Sequence, residues 1–133
     1  MSHFQGSCLC NSVRYELVGE LQKFFLCHCQ RCRKETGSAH AANLFIKPTT
    51  FDWRSGADLV KTYHHPDSRY VKSFCQNCGS AVPSVIDHSM ILLPAGSLDS
   101  DLPLTPDANI FTDSQANWSK HSDSLPSFAQ FPE

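Results

Sequence analysis

Seven cysteines stand in three groups, Cys8-x-Cys10, Cys27-x-Cys29-x-x-Cys32 and Cys75-x-x-Cys78-Gly79. The last has the form of a zinc knuckle. Thiolates at this spacing converge on one tetrahedral ion while backbone N–H groups of the turn point at the sulfurs, and glycine permits the tight return. A knuckle supplies two ligands, so a closed site needs two more. Cys8 and Cys10 can give them, because residues i and i+2 of a strand face the same side. That pairing leaves Cys27, Cys29 and Cys32 together. On a strand Cys27 and Cys29 would share a face with His28 pointing away, and Cys32 would return from the following turn. Four thiolates close a structural site, whereas three leave a fourth corner for water or substrate. The spacing therefore predicts two zinc ions per chain.

Other uses of the cysteines fit less well. Disulfide pairing would leave one thiol over, a redox Cys-x-x-Cys needs a βαβ context absent here, and knuckle spacing favours zinc over an iron–sulfur cluster. A histidine completing a structural Cys3His set stays open, with His28, His40, His64, His65 and His88 as candidates, none singled out by spacing. Arg31, Arg33 and Lys34 form the one dense basic run and lie within the cysteine cluster. They can hold substrate carboxylates or simply offset thiolate charge.

The 133 residues suit one domain, 1–133, with a modest core that bound metal would support. A net charge of −2 and a pI near 6.4 oppose a general nucleic-acid binder. The first residues carry no basic and apolar leader pattern, and the densest apolar run, Met90 to Leu93, is too short for a bilayer. The expectation is a soluble cytoplasmic protein without a membrane partner.

These residues must be positioned mainly by β-strands. Val13, Tyr15 and Leu17 alternate with Arg14 and Glu16, predicting a half-buried strand closed by Gly19. Further strands are predicted over Lys23–Cys27, Ala39–Ile46 ending at Lys47-Pro48, Leu59–Tyr63, Arg69–Phe74, Ala81–Ile86 and Met90–Leu93. Residues 64–68 make a hairpin loop. One helical turn, Arg33 to Thr36, stops at Gly37. From about residue 99 the chain reads as an irregular tail docked on the surface through Ile110, Phe111, Trp118, Leu125 and Phe128. Exposed strand edges make a dimer possible.

With these groups in place, the sequence resembles the glutathione-dependent formaldehyde-activating enzyme family, whose domain is shared with the centromere protein V group. The matching stretches are Gly6–Cys10, Cys27–Lys34 with Gly37-Ser38, and Phe74–Ser80. The tail around Ile110-Phe111 is similar too, although Asn109 stands where many members carry a histidine. The resemblance implies an Mss4-like fold of several small antiparallel sheets organised around zinc. It implies a structural zinc on Cys8, Cys10, Cys75 and Cys78, and a catalytic one on Cys27, Cys29 and Cys32. The implied activity is that of a carbon–sulfur lyase joining glutathione, or a similar small thiol, to formaldehyde. A non-catalytic zinc module binding a thiol, a protein or nucleic acid is the competing reading. Metal analysis separates them. Two zincs per chain, one with a non-protein ligand, are expected for the enzyme, and one zinc or a histidine-completed second site for the module.

Overall fold

The computed structural model describes residues 1–87 and 89–132. The loop expected around His88, and that histidine as a ligand candidate, lie outside the described residues. The elements in chain order are β1 (Ser2–Ser7), β2 (Arg14–Cys27), α1 (Gln30–Thr36), β3 (Ala41–Ser55), β4 (Val60–His64) and β5 (Val71–Cys75). They continue with β6 (Ala81–Val82), β7 (Ser84–Asp87), β8 (Met90–Pro94) and β9 (Ala108–Ile110). The protein is mainly β. One sheet runs β1-β2-β3-β8-β7, and β4-β5-β6 form a smaller one. No helix among the described residues is long and apolar enough to cross a membrane.

Period-two alternation builds the large sheet. Tyr15 and Leu17 point into a core completed by Phe4, Phe24, Leu44, Ile46, Ile91 and Leu93, while Arg14 and Glu16 point outward. Each such side chain contributes about 1.5–3 kcal/mol on burial. Outside, Glu16 lies 2.9 Å from His3 and 3.2 Å from Arg54, and the hydrogen bond from His3 holds its carboxyl below the ordinary range.

The strands are longer than their breakers suggest. Gly19 does not end β2; the strand passes it with a register shift and pairs it with Pro48. Pro48 is tolerated inside β3 because β8 pairs only with Asn43 to Ile46, leaving the proline without a partner on that side. Pro83 has the opposite effect. It divides the expected Ala81–Ile86 strand into β6, in the small sheet, and β7, in the large one.

The helix also begins earlier than expected. Cys29 is its N-cap, its sulfur receiving the Cys32 N–H at 3.4 Å, and Gly37 in the left-handed conformation closes it. The tail differs most. Its β9 pairs in parallel with Phe25 to Cys27, on the edge of β2 that β1 leaves free. Ile110 is partly buried there, but Phe111, Trp118, Leu125 and Phe128 are exposed rather than docked.

Gly6 packs against the Tyr15 hydroxyl, which lies 2.6 Å from Ser97 Oγ. A methyl at Gly6 would strike that hydroxyl and the Ser97 carbonyl. Gly6→Ala is expected to lower stability in urea unfolding by about 1–3 kcal/mol. Gly96→Ala, where a Cβ meets no atom within 4 Å, should change it by less than about 0.5 kcal/mol.

Candidate metal centre

The sulfurs of Cys8, Cys10, Cys75 and Cys78 lie within 4.8 Å of one another. Cys8 and Cys10 sit in the turn after β1, where Cys8 N–H donates to Val13 O (3.0 Å) and Asn11 N–H to Cys8 O (3.0 Å). Cys75 ends β5, and Cys78 is brought back by a turn in which Gly79 N–H donates to Cys75 O at 2.7 Å. Gly79 holds φ 78°, which a side chain would strain. Sulfur separations of 3.6 Å (Cys8 to Cys10) and 3.9 Å (Cys10 to Cys75) bracket the edge of about 3.8 Å that tetrahedral zinc–thiolate bonds of about 2.3 Å require.

Hydrogen bonds favour the thiolate form at Cys78 and Cys10. Ser80 Oγ, 3.3 Å from the Cys78 sulfur, helps hold that thiol down to about 5. Ser12, together with the Asn77 amide at 3.2 Å, lowers Cys10 to about 7. The Val13 N–H points at the Cys8 sulfur from 3.3 Å. This group fits a closed zinc site by donor set, spacing and second-layer hydrogen bonds.

Cys27, Cys29 and Cys32 form the second group, again within 4.8 Å of one another. They do not share a strand face: Cys27 ends β2, Cys29 caps α1 and Cys32 occupies its first turn. Among the described residues no histidine or carboxylate joins the three sulfurs. Burial pushes the Cys27 thiol up, and it pushes Cys32 up further with Cys27 and Cys29 beside it. Three crowded sulfurs of this kind cannot all ionise without a cation, so the donor set fits a soft divalent metal with one corner open.

His28 is buried and serves the scaffold. Its backbone N–H donates to Ile110 O at 2.9 Å, and its Nε2 lies 2.8 Å from the accepting Asn109 Oδ1, so β9 is tied to the cysteine loop twice. The His40 ring lies 5.1 Å away, and burial, then His28, lowers its pKa. His64 and His65 belong to the β4–β5 hairpin and join neither sulfur group.

Beside the three-sulfur group lies a cavity of about 640 Å³. Arg31 and Lys34 of α1 line it, whereas Arg33 does not; its Nε is buried without a partner among the described residues. The far wall is one face of the β4–β5 hairpin, with Lys61 and Tyr63 opposite Phe74 and Lys72. Tyr70 joins cavity to metal group, since it lines the one and packs against the other. Its hydroxyl donates to Glu35 Oε2 at 2.8 Å, and Lys72 Nζ donates to Glu35 O at 2.8 Å. Burial, then Glu35 and the neighbouring sulfurs, keeps the Tyr70 phenol protonated. These wall residues escaped the sequence reading. Their signal was alternation, Lys61-x-Tyr63-x-His65 against Tyr70-x-Lys72-x-Phe74.

The model of the glutathione-dependent formaldehyde-activating enzyme family matches residues 3–114. The chain belongs to this family. Membership implies the family's glutathione-dependent, formaldehyde-activating type of function, and a thiol as the substrate partner. A crystal structure of a Rhodobacter sphaeroides protein, solved by structural genomics, is similar to the chain with a TM-score of 0.59 at 21% identity. The similarity covers 79% of this chain and 98% of that one, and at this identity it concerns the fold. No curated protein matches the chain.

The two sulfur groups differ in what they join. Cys8 follows β1 of the large sheet and Cys78 follows β5 of the small one, whereas Cys27 to Cys32 span a single turn. Cys75→Ser and Cys29→Ser should each remove one zinc of two by elemental mass spectrometry. Thermal unfolding should shift down markedly for Cys75→Ser and little for Cys29→Ser.

Proposed function

We propose that the chain is a zinc-dependent carbon–sulfur lyase-type enzyme that joins a glutathione-like thiol to a small aldehyde and reverses the same reaction. Cys27, Cys29 and Cys32 would hold the catalytic zinc, and Cys8, Cys10, Cys75 and Cys78 the structural one. The observation that carries this reading is Tyr70, which packs against the open three-sulfur group and lines a cavity rimmed with cations. Bound zinc would supply the positive charge that favours the thiolate form of a substrate thiol.

The chain's own residues do the rest. Glutathione carries two carboxylates, and Arg31, Lys34 and Lys61 are cations around the cavity without a carboxylate partner among the described residues. They would hold those carboxylates by charge-assisted hydrogen bonds. Tyr63 and Phe74 give the thiol's carbon chain an apolar wall. As sulfur attacks the carbonyl carbon, the C–S bond forms, the C=O π pair moves onto oxygen, and that oxygen takes a proton. The substrate thiol's proton leaves to solvent as the thiolate forms, and Tyr70, held protonated beside the sulfurs with Glu35 orienting the phenol, would give its Oη proton to that oxygen and regain one from solvent.

Formation of the S-hydroxymethyl adduct from glutathione and formaldehyde should be faster with the metal-loaded protein than without it. No acceleration with both zincs present overturns the reading for this substrate and favours a non-catalytic zinc module. Tyr70→Phe should lower kcat on the order of 10²-fold with little change in KM for the thiol. Lys34→Ala should instead raise that KM roughly 10- to 100-fold, in line with the loss of about 1.5–3 kcal/mol from one charge-assisted bond.

A further inference from the structure

A second cavity, of about 250 Å³, adjoins the first, and Glu35 and Lys72 line both. It sits between the two sheets. Residues 41–43 of β3 and the end of β8 form one wall, and β5 and β6 form the other. Ala41 lines it and packs directly against Cys27 and Cys32, so the cavity ends beside the three-sulfur group.

Asn43 is the anomaly on its wall. The residue is only 8% exposed, and both flanking strands pair with it, at Phe25 and at Pro94. Its backbone is therefore covered, and it reaches the cavity by its side chain. The neighbouring hydroxyls have partners. Ser84 Oγ accepts the Ser73 N–H at 2.9 Å, and Thr36 Oγ1 donates to Cys32 O at 2.7 Å. The Asn43 amide has none among the described residues. A buried amide left unpaired destabilises a fold, and leucine or valine would suit a wall of Ala41, Leu92 and Val82 better.

Charge and size narrow the occupant. Glu35 and Lys72 lie 3.8 Å apart and offset each other, and burial lowers the pKa of His40, the other titratable side chain on the wall. A neutral guest fits such a space better than an ion. At about 30 Å³ per water-sized atom, the volume holds about eight non-hydrogen atoms. An amide offers a donor and an acceptor on one carbon. A gem-diol, the hydrated form of a small aldehyde, also carries two hydroxyls on one carbon, so one can donate to Oδ1 while the other accepts from Nδ2.

We propose that this cavity is a second ligand site, in which the Asn43 amide holds a small aldehyde as its hydrate. The aldehyde's role as substrate rests on the enzymatic reading above, whereas binding of the diol does not. The thiol and the aldehyde then occupy separate cavities divided by Glu35 and Lys72. Before sulfur attacks, the diol loses water: one C–O bond breaks, the departing hydroxyl leaves with the other's proton, and the carbonyl is restored.

Titration of the isotope-labelled, metal-loaded full chain with trifluoroacetaldehyde hydrate, a stable gem-diol, tests the site by nuclear magnetic resonance. The Asn43 side-chain amide should shift saturably, and trifluoroethanol, which lacks the second hydroxyl, should bind at least tenfold more weakly. Asn43→Leu should weaken hydrate binding at least tenfold, with two zincs retained and a melting temperature equal or higher. It should also raise the KM for formaldehyde at least tenfold and leave that for glutathione unchanged. An Asn43 amide in the native chain that does not respond, or equal affinity for the alcohol, overturns the proposal. So does adduct formation whose formaldehyde KM is unchanged in Asn43→Leu. Saturable binding at Asn43 without any acceleration of adduct formation supports the site and overturns the enzymatic reading instead.

Discussion

The convergence of four sulfurs on one junction shapes the rest of the architecture. The sulfurs of Cys8, Cys10, Cys75 and Cys78 meet within 4.8 Å, a donor set that one tetrahedral cation would satisfy. The convergence is also the place where the two sheets are clamped. Cys8 and Cys10 follow β1 of the large sheet, and Cys75 and Cys78 follow β5 of the small one, with Val13 and Val82 packed around the sulfurs. Apolar burial and metal chemistry therefore act on the same junction.

The clamp sets the position of everything near the second sulfur group. Because the small sheet is held against the large one, the β4–β5 hairpin presents its alternating face toward α1. Tyr70 and Lys72 reach Glu35 across that gap, so a hydrogen bond and an ion pair at 3.8 Å tie hairpin to helix directly beside Cys32. The cavity lies between α1 and the face of the β4–β5 hairpin. Its cationic rim and apolar wall come from different elements, which no local stretch of sequence displays together.

That non-locality explains what could be read in advance. The division of the cysteines into four and three follows from short-range spacing, which geometry constrains tightly, and the structure brings the sulfurs together in those groups. The alternation around Tyr15 and Leu17 likewise marks one buried face. Strand ends were less legible. Gly19 and Pro48 are breakers in isolation, but paired across β2 and β3 they occupy one irregular step of a continuous ladder. Three-residue β9 has no periodicity of its own; it exists because β1 stops short and leaves donors and acceptors on β2 open. The role of Tyr70 depends on Glu35, 35 residues away in sequence, and no single-sequence pattern joins them.

The separation of the two sulfur groups along the chain has a temporal side. Cys27, Cys29 and Cys32 need only six consecutive residues and one helical turn, so their loop is short and closes at small entropic cost as soon as it leaves the ribosome. The other group cannot close until Cys78 has emerged to meet Cys8, by which time β1 to β5 are already synthesised. In a nascent chain the first group can therefore assemble on an unfinished scaffold, whereas the second assembles only once the end of β5 has reached β1.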